Sequence, residues 1–496
     1  MRCNTLTRKY ICRMRLIISR AVLILSFIFL YQFAALSQTI NGKLLDEYLN
    51  QYLTNKNVPS ISAGLLEGGK IIWINGFGKA DIENNVPASN SSLYRIASIS
   101  KPITAVAVLQ LWEKGLISLD TDARTYLPSF PVKRYKFTVR QLLNHTAGIR
   151  NYKEGEFDSK NYYPTTDDAL RLIAYDSLMF EPGTKYSYTT LGYTLLAAIV
   201  EKVSKTSFEN YLRNNVFLPS GMTSTQIDKQ REIILNRVKG YEKNAERKIV
   251  NAPLADLSIK VAGGGILSTA NDLLLFAKSL MENKLLKQST LNMMFSRSKL
   301  KSGKEIDYGL GFSLNFEKDS LKYISHNGAG TGFSSMLLID PEQKRASVHL
   351  INIRDRNLEA PAKDFYDMLS SGKLPKPAKT LSDELMKTYL SAGIDSTNKV
   401  FNNIYSAEQS VYTLNDDEAI YFSNDLIELN KISDAISYLK EVLKYYPKSF
   451  NVLAAIGDTY LKDKNDGLAL RYYRSAAQLN SSNPRINNLI KKLSSK

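Results

Sequence analysis

Strand-like segments lie at both ends of residues 45–353, with helical segments between them, and this arrangement restricts the possible folds most strongly. Near the amino terminus, residues 61–66 and 70–76 flank a Glu-Gly-Gly turn that can close an antiparallel hairpin. Helical spacing of apolar residues predicts an amphipathic helix at 45–55. Four further strands are expected at 310–316, 321–325, 334–339 and 346–353. We therefore predict a mixed α/β fold in which both ends build one antiparallel sheet flanked by helices.

The sequence after residue 370 is helical in pattern and contains an internal repeat. Residues 371–377 carry glycine and two prolines and suit a linker. The repeat resembles the tetratricopeptide repeat, whose 34-residue unit is a pair of helices. Two units are fewer than an independent stack needs, so they should pack on 381–405 and on a last helix at 485–493. The matching positions, 34 residues apart, are Ser423 and Gly457, Ala435 and Ala469, Tyr438 and Tyr472, and Val442 and Ala476.

The first 37 residues have the pattern of a secretory signal peptide. Six basic and no acidic residues occur there, and an apolar stretch at 21–36 ends near the small residues Ala35 and Ser37. A retained signal anchor is the alternative. Both cysteines, Cys3 and Cys12, lie in this leader, so the remaining chain has no thiol for a disulfide or for covalent catalysis. We expect a periplasmic or secreted protein with no membrane span after removal of the leader.

These patterns divide the chain into four predicted segments. They are a signal peptide at 1–37, an α/β domain at 38–370, a linker with a helical connector at 371–415, and all-helical repeats at 416–496. The formal net charge of +17 comes from scattered lysines and arginines, which indicates a solvated surface rather than a nucleic-acid site. No metal or other cofactor is expected, because the chain has only three scattered histidines and no cysteine after the leader.

Ser98 and Lys101 form a Ser-x-x-Lys sequence, which places a hydroxyl and an amine on one face of a helix. The spacing alone is weak, because it recurs at five other serines. At Ser98 the context is stronger: Pro102 suits the first turn of an apolar helix that ends near Gly115. A serine at a helix start lies where backbone N–H groups can face an oxyanion. The other occurrences begin at Ser296, Ser298, Ser370, Ser396 and Ser437.

The segment Tyr-Arg-Ile-Ala-Ser-Ile-Ser-Lys at 94–101 resembles the nucleophile segment of the serine beta-lactamase and penicillin-binding-protein superfamily. Further matches follow in the expected order over residues 45–353, as in the class C-like branch. They are Leu-Leu-Asn-His-Thr-Ala-Gly at 142–148, Glu-Pro-Gly-Thr at 181–184, the segment at 188–201, Ala-Gly-Gly-Gly-Ile-Leu-Ser-Thr at 262–269 and His-Asn-Gly at 326–328. The resemblance implies that the α/β domain is a beta-lactamase/transpeptidase-like serine hydrolase.

The resemblance implies a role for each matched residue. Ser98 would be the acylated nucleophile, and Lys101 and Tyr188 would exchange its proton, with the base of the two left open. The backbone N–H groups of Ser98 and Ala329 would form the oxyanion hole.

Substrate binding is implied for four further positions, two of which depart from the family pattern. Thr190 replaces an asparagine that can both donate and accept a hydrogen bond, and His326 replaces a lysine. A mostly neutral imidazole would anchor a substrate carboxylate poorly, so we expect uncharged esters to be preferred over penicillins. The other two positions are Asn327 and Gly328.

Several alternatives remain at this stage. A Ser-His-Asp triad with His145 or His326 is disfavoured, because no Gly-x-Ser-x-Gly elbow surrounds Ser98. The glycines at 263–265 lack the following Gly-Lys-Ser or Gly-Lys-Thr of a phosphate loop. The expected substrate is a small ester, amide or peptide, with esterase or D-amino-acid peptidase activity favoured over beta-lactamase activity. A weakly active sensing module that engages a protein partner through its repeats is the competing function.

Overall fold

The structure is a computed structural model that describes residues 41–354, 359–407 and 409–495. The predicted signal peptide lies outside the described residues. The chain divides into two compact units, Met1–Leu45 and Asp46–Lys496. The described part of the first unit contributes only the beginning of helix α1 (Gly42–Lys56). All the structure discussed below belongs to the second unit.

One seven-stranded antiparallel sheet is built from the two ends of the α/β region, as the sequence predicts. Its order is β11-β12-β13-β14-β1-β2-β3, so the last strands of the region pair directly with the first. The turn between β1 and β2 uses Gly68 and Gly69, both with positive φ, which glycine adopts without a Cβ clash. The strands are β1 (Ser60–Glu67), β2 (Lys70–Asp81), β3 (Val86–Pro87), β11 (Ser313–Glu317), β12 (Ser320–Gly330), β13 (Phe333–Asp340) and β14 (Arg345–Ile351).

Helices cover both faces of this sheet. Residues in register on β1 and β14 alternate between the faces. On one face, Gly64 packs against Leu274 of the helix Ala270–Met281. On the other face, Ser347, one register step away, donates its hydroxyl to the Ala362 carbonyl of the helix Ala362–Ser371 at 2.7 Å. The intervening helices are α2 (Ser100–Glu113), α3 (Val139–Leu143), α4 (Thr166–Ala174), α5 (Leu191–Ser204), α6 (Phe208–Leu212), α7 (Leu218–Ser220), α8 (Val261–Gly264), α9 (Ala270–Met281) and α10 (Gln288–Met294), and α11 (Ala362–Ser371) follows the sheet.

Small two- and three-stranded sheets and short helical turns complete this region. The most relevant is the order β4-β8-β5, which holds the segment before Ser98 against residues 266–268. These strands are β4 (Tyr94–Arg95), β5 (Gln226–Ile227), β6 (Tyr241–Lys243), β7 (Ile249–Asn251), β8 (Ile266–Ser268), β9 (Ser298–Lys299) and β10 (Glu305–Ile306). The turns are the 3₁₀ segments Ala97–Ile99, Ala123–Thr125 and Ser258–Lys260, and the π segment Arg213–Phe217.

The carboxy-terminal region is helical with its own apolar core, which confirms the expected all-α region. Buried side chains from Leu381 to Leu493 form a cluster separate from the one around the sheet. Of the repeat positions, Ala435, Ala469, Val442 and Ala476 are fully buried, and the tetratricopeptide assignment stays a prediction. The helices are α12 (Leu381–Ala407), which bends at Gly393, α13 (Asp416–Glu428), α14 (Ile432–Tyr445), α15 (Phe450–Lys462), α16 (Asp466–Leu479) and α17 (Pro484–Ser494).

An acidic side chain connects the helical region to the α/β region. Asp383 of α12 accepts from Lys243, the last residue of β6, at 2.6 Å and from Arg247, in the β6–β7 turn, at 2.7 Å. All three side chains are largely buried, so this contact is better shielded from solvent than a surface ion pair. The helices therefore dock on the α/β region through specific charges.

Candidate active site

Ser98 lies in the 3₁₀ turn Ala97–Ile99, immediately before α2, rather than in the helix itself. The turn is closed by the Ile99 N–H, which donates to the Ile96 carbonyl at 3.1 Å. Ala97 has a φ of +44°, a region that L-residues rarely adopt. Helix α2 is buried along most of its length, so its packing holds the turn and the partly exposed Ser98 in place.

Lys101 brings an amine directly to the Ser98 hydroxyl. Its Nζ is 3.0 Å from Ser98 Oγ, 2.8 Å from the Gly263 carbonyl oxygen and 3.2 Å from Thr190 Oγ1. The Lys101 side chain is fully buried. The glycine at 263 is required by packing, because an added Cβ would lie 2.5 Å from Thr190 Cγ2. This arrangement fixes the amine within proton-transfer distance of the candidate nucleophile.

The surroundings of Lys101 favour its neutral form. Burial lowers the pKa of Lys101 well below its ordinary value, and the positive charge of Lys260 lowers it further. A neutral amine has a lone pair and can accept a proton, whereas an ammonium group cannot. Lys101 therefore has the electrostatic properties of a general base.

Tyr188 is shifted in the opposite direction. Its ring centroid lies 4.7 Å from Lys101 Nζ. Burial raises the pKa of Tyr188 above its ordinary value, and a hydrogen bond with Ser98 opposes this shift only in part. Tyr188 therefore stays a neutral phenol at neutral pH and can donate a proton. The two pKa values are thus shifted in opposite directions, that of Lys101 downward and that of Tyr188 upward.

Ser98 opens into a cavity of about 280 Å³. Asn327 and Ala329 of β12 lie on its wall, and pairing of β12 with β11 ends at Ser325, so residues 326–330 have no strand partner on that side. The backbone of Ala329 therefore borders the space in front of Ser98. The cavity is lined by Arg95, Ala97, Ser98, Asn151, Tyr152, Phe157, Tyr188, Thr190, Leu257, Lys260, Gly263, Gly264, Asn327, Ala329, Gly330, Thr331 and Arg354.

Gly328 is the point of closest approach between β12 and the Ser98 turn. A Cβ on Gly328 would lie 2.4 Å from the Ile96 carbonyl oxygen and 3.1 Å from the Ser98 backbone nitrogen. Such distances are shorter than van der Waals contact, so only glycine fits without movement. Gly328 thus sets the spacing between β12 and the Ser98 turn, and it does not line the cavity as expected of a substrate-binding residue.

Asn151 is a cavity residue that the sequence motifs did not indicate. Its Oδ1 accepts from the backbone N–H of Thr190 at 3.3 Å, and its side chain reaches the same wall as Thr190. Among the described residues no acceptor bonds its Nδ2 group, which leaves an amide donor on the cavity wall. Asn151 therefore places a side-chain amide next to Thr190 from a different loop.

His326 does not line the cavity, which differs from its expected place as a carboxylate anchor. Only 3% of its surface is exposed. Nε2 lies 3.1 Å from the Tyr308 hydroxyl and Nδ1 lies 2.6 Å from the Asn327 carbonyl. Since a carbonyl only accepts, Nδ1 carries the proton and Nε2 accepts from Tyr308. Burial lowers the pKa of His326 to about 3, so acidification to pH 6 leaves it neutral.

His145 continues the same buried chain. Its Nδ1 accepts from the Thr189 N–H at 3.2 Å, so its Nε2 carries a proton and donates to the Tyr308 hydroxyl, also at 3.2 Å. Both histidines are thus neutral members of a network behind Tyr188. Neither contacts Ser98, so the geometry does not support a Ser-His-Asp triad.

Lys260 is the second cavity residue that sequence motifs missed. It ends the 3₁₀ turn Ser258–Lys260 and directly precedes α8, which carries the Gly263 carbonyl. Its only sequence signal is a lysine inside the stretch 259–267, whose other residues are apolar or glycine. In the described part of the chain no group of His, Cys, Asp and Glu side chains has the geometry of a metal site. No helix there is long and apolar enough to cross a membrane.

A family model described as "Beta-lactamase" matches residues 45–370, which include every site residue above. The chain belongs to the beta-lactamase family. It is 31% identical over 391 residues to the human mitochondrial serine beta-lactamase-like protein LACTB, a match covering 60% of this chain and 71% of that one. It is 30% identical over 301 residues to penicillin-binding protein 4* of Bacillus subtilis, covering 58% and 66%.

The comparison with solved structures supports the fold. The octameric penicillin-binding protein homologue from Pyrococcus abyssi aligns with a TM-score of 0.58 and 24% identity, over 67% of this chain and 78% of that chain. The family resemblance and the mixed α/β fold with an antiparallel sheet are both confirmed. Membership of this family supports general serine hydrolase activity on a small molecule.

Proposed function

We propose that this protein hydrolyses a small ester, amide or peptide through an acyl-enzyme on Ser98. The observation that carries the proposal is the contact of 3.0 Å between Ser98 Oγ and the buried amine of Lys101, whose pKa is lowered by burial. Serine is a weak nucleophile until a neighbouring base removes its proton. A lysine buried at this distance from a serine has no simple structural purpose, because burying an amine is unfavourable.

The proton route follows from the two opposite pKa shifts. Lys101 accepts the Ser98 proton as Oγ attacks the substrate carbonyl, and the oxyanion forms facing the backbone N–H groups of Ser98 and Ala329. Tyr188, a neutral phenol, donates its proton to the leaving group and is reprotonated from Lys101. Water then attacks the acyl-enzyme by the same route in reverse, which releases the acid and restores Ser98.

The substrate class within this chemistry is esterase- or D-amino-acid-peptidase-like rather than beta-lactamase-like. The Asn151 amide beside Thr190 supports binding of a substrate carbonyl. We place the protein in the periplasm or outside the cell, on the strength of the leader at 1–37. Engagement of a protein partner by the helical repeats belongs to the same proposal. Turnover is favoured over a purely sensing role, because Lys101 is already positioned as a base.

Kinetics of single variants test the catalytic assignment. Ser98→Ala should abolish hydrolysis of 4-nitrophenyl butyrate. The matched control is Ser100→Ala, two residues away, whose buried Oγ has no hydrogen-bond partner among the described residues. Ser100→Ala should keep near-normal activity. Full activity of Ser98→Ala would show that a different nucleophile performs the reaction.

A further inference from the structure

We propose that Lys260 is the binding site for an anionic group of the substrate, so that the preferred substrates are esters or amides bearing a carboxylate. This inference rests on the proposed function of Ser98, because Lys260 and Ser98 line the same cavity. It reverses the expectation from His326, which predicted a preference for uncharged esters.

The position of Lys260 ties it to the catalytic groups. Two residues separate it from Gly263, whose carbonyl oxygen accepts from Lys101. The 3₁₀ turn and α8 thus form one short segment that carries both Lys260 and the Gly263 carbonyl, the hydrogen-bond acceptor of Lys101. A substrate that reaches Ser98 therefore lies close to the ammonium group.

Lys260 is a buried cation that forms no ion pair with any residue in the described part of the chain. Only 4% of its surface is exposed, and no carboxylate among the described residues lies within 4.0 Å of its Nζ. Its contacts are the Phe157 carbonyl oxygen, the Phe157 ring at 4.2 Å and the Tyr152 ring at 5.2 Å. Buried charges are normally paired, since desolvation of a lone ion is unfavourable. A bound anion would supply the missing partner.

The cavity as a whole is electropositive. Lys260, Arg95 and Arg354 line it, and no Asp or Glu occurs among the described residues on its wall. Arg95 is already paired with Asp228 at 2.6 Å, so it is less available to a ligand. Lys260 and Arg354 remain, and both lie over the Phe157 ring. Low-dielectric walls strengthen the attraction of such cations for an anionic substrate.

Asp158 is an acidic residue whose charge acts on Lys260. Burial lowers the pKa of Lys260 to about 8; Arg95 acts in the same direction as burial, and Asp158 opposes it. The Asp158 carboxylate also accepts from the Thr331 hydroxyl. Lys260 therefore stays mostly protonated at pH 7 and keeps the charge that an anion requires.

A matched substrate pair tests this inference. One substrate is the 4-nitrophenyl monoester of adipic acid, and the other has the far carboxylate replaced by a carboxamide of similar shape. Wild-type kcat/KM should favour the carboxylate by about tenfold or more, the range expected of a charge-assisted hydrogen bond. Lys260→Met should remove most of this preference. Lys202→Met, which deletes an exposed charge on α5, is the control and should keep it.

The ratio of the two substrates isolates the anion site from the activation of Ser98. Loss of the Lys260 charge also raises the pKa of Lys101, which slows both reactions, but the ratio cancels this common effect. An unchanged ratio in Lys260→Met, or no preference in the wild type, would overturn the inference while Ser98→Ala remains inactive. Persistent hydrolysis by Ser98→Ala would instead overturn the proposed function.

A measurement on the unmodified protein keeps the test decisive if Lys260→Met is poorly folded. Between pH 6.5 and pH 9 the substrate carboxylate stays ionised, whereas Lys260, with its pKa of about 8, loses its proton. The carboxylate preference should therefore fall severalfold over this interval. The charged and titratable groups around Lys260 are Asp158, Arg95, Arg354, Tyr152 and Lys101. A preference that is constant across the interval would contradict a role for Lys260.

Discussion

Substitution of Gly328 by alanine should separate the oxyanion hole from the nucleophile. The added Cβ would lie 2.3 Å from Ser335 Oγ and 2.4 Å from the Ile96 carbonyl oxygen. Unstrained contacts need about 3.5 Å, so β12 and the Ser98 turn must move apart by about 1 Å. Rotation of the Ser335 side chain away from the new Cβ would break a hydrogen bond, because its hydroxyl donates to the same Ile96 carbonyl at 2.8 Å.

A displacement of this size should affect rate more than stability. Misplacement of reacting groups by about 1 Å lowers rates about 100-fold, and loss of one oxyanion donor lowers kcat by about 100- to 1,000-fold. Overpacking at one site costs about 1–3 kcal/mol of folding free energy. Gly328→Ala should therefore fold, with a reduced unfolding midpoint, while kcat for 4-nitrophenyl butyrate falls by at least about 100-fold.

The matched control is Gly64→Ala in the same sheet. Its Cβ would lie 2.8 Å from Leu274 Cδ1, the end of a flexible side chain, so it introduces a milder steric conflict in the sheet away from the Ser98 turn. Urea unfolding followed by circular dichroism measures the stability of both variants, and initial rates measure kcat. Near-normal kcat in Gly328→Ala, or an equal loss in Gly64→Ala, would refute the argument that β12 sets the oxyanion geometry.

Three further predictions concern the base, the acid and the helical region. Lys101→Met and Tyr188→Phe should each lower kcat/KM about 100-fold or more in ester assays. Lys101→Met should also raise the unfolding free energy at pH 7, because burial disfavours the ammonium form that Lys101 has in the unfolded chain. The neutral amine of Lys101 is the form that can accept the Ser98 proton. Activity should therefore be retained above the lowered pKa of Lys101 and lost as the pH falls through that pKa. A pH–rate profile in which activity is lost on acidification already near pH 10.5, the ordinary pKa of lysine, would contradict this. Asp383→Ala should destabilise the full chain by about 2 kcal/mol in urea titrations, by removing the carboxylate that accepts from both Lys243 and Arg247, with kcat/KM unchanged.

The sheet was predictable from the sequence because its strands are short and separated by turn residues. The expected segments 61–66 and 334–339 fall inside β1 and β13, and the Gly-Gly turn after β1 has the positive φ angles that only such a sequence adopts easily. Strand lengths were less predictable: β2 continues to Asp81, because its later residues pair with Val86–Pro87. Pairing between distant segments, rather than local sequence, determines these ends.

Residues of the candidate site were predictable from the sequence only where they belong to a short motif. Ser98 and Lys101 are three residues apart, so local geometry brings them together. His326 illustrates the limit: alternation along β12 directs Asn327 and Ala329 to the cavity and places His326 against Tyr308. Lys260 enters the site only through the tertiary fold. No spacing rule connects it with Ser98, which is why the sequence predicted the opposite charge preference.

Mass spectrometry of the trapped enzyme tests the central claim most directly. The wild-type protein, treated with a fluorophosphonate or quenched during turnover of an activated ester, should carry one covalent adduct, and peptide mapping should place it on Ser98. Ser98→Ala should stay unmodified under the same conditions, and Lys101→Met should be labelled much more slowly, because its serine has lost the base 3.0 Å away. An adduct on another residue, or equal labelling of Ser98→Ala, would contradict the acyl-enzyme mechanism.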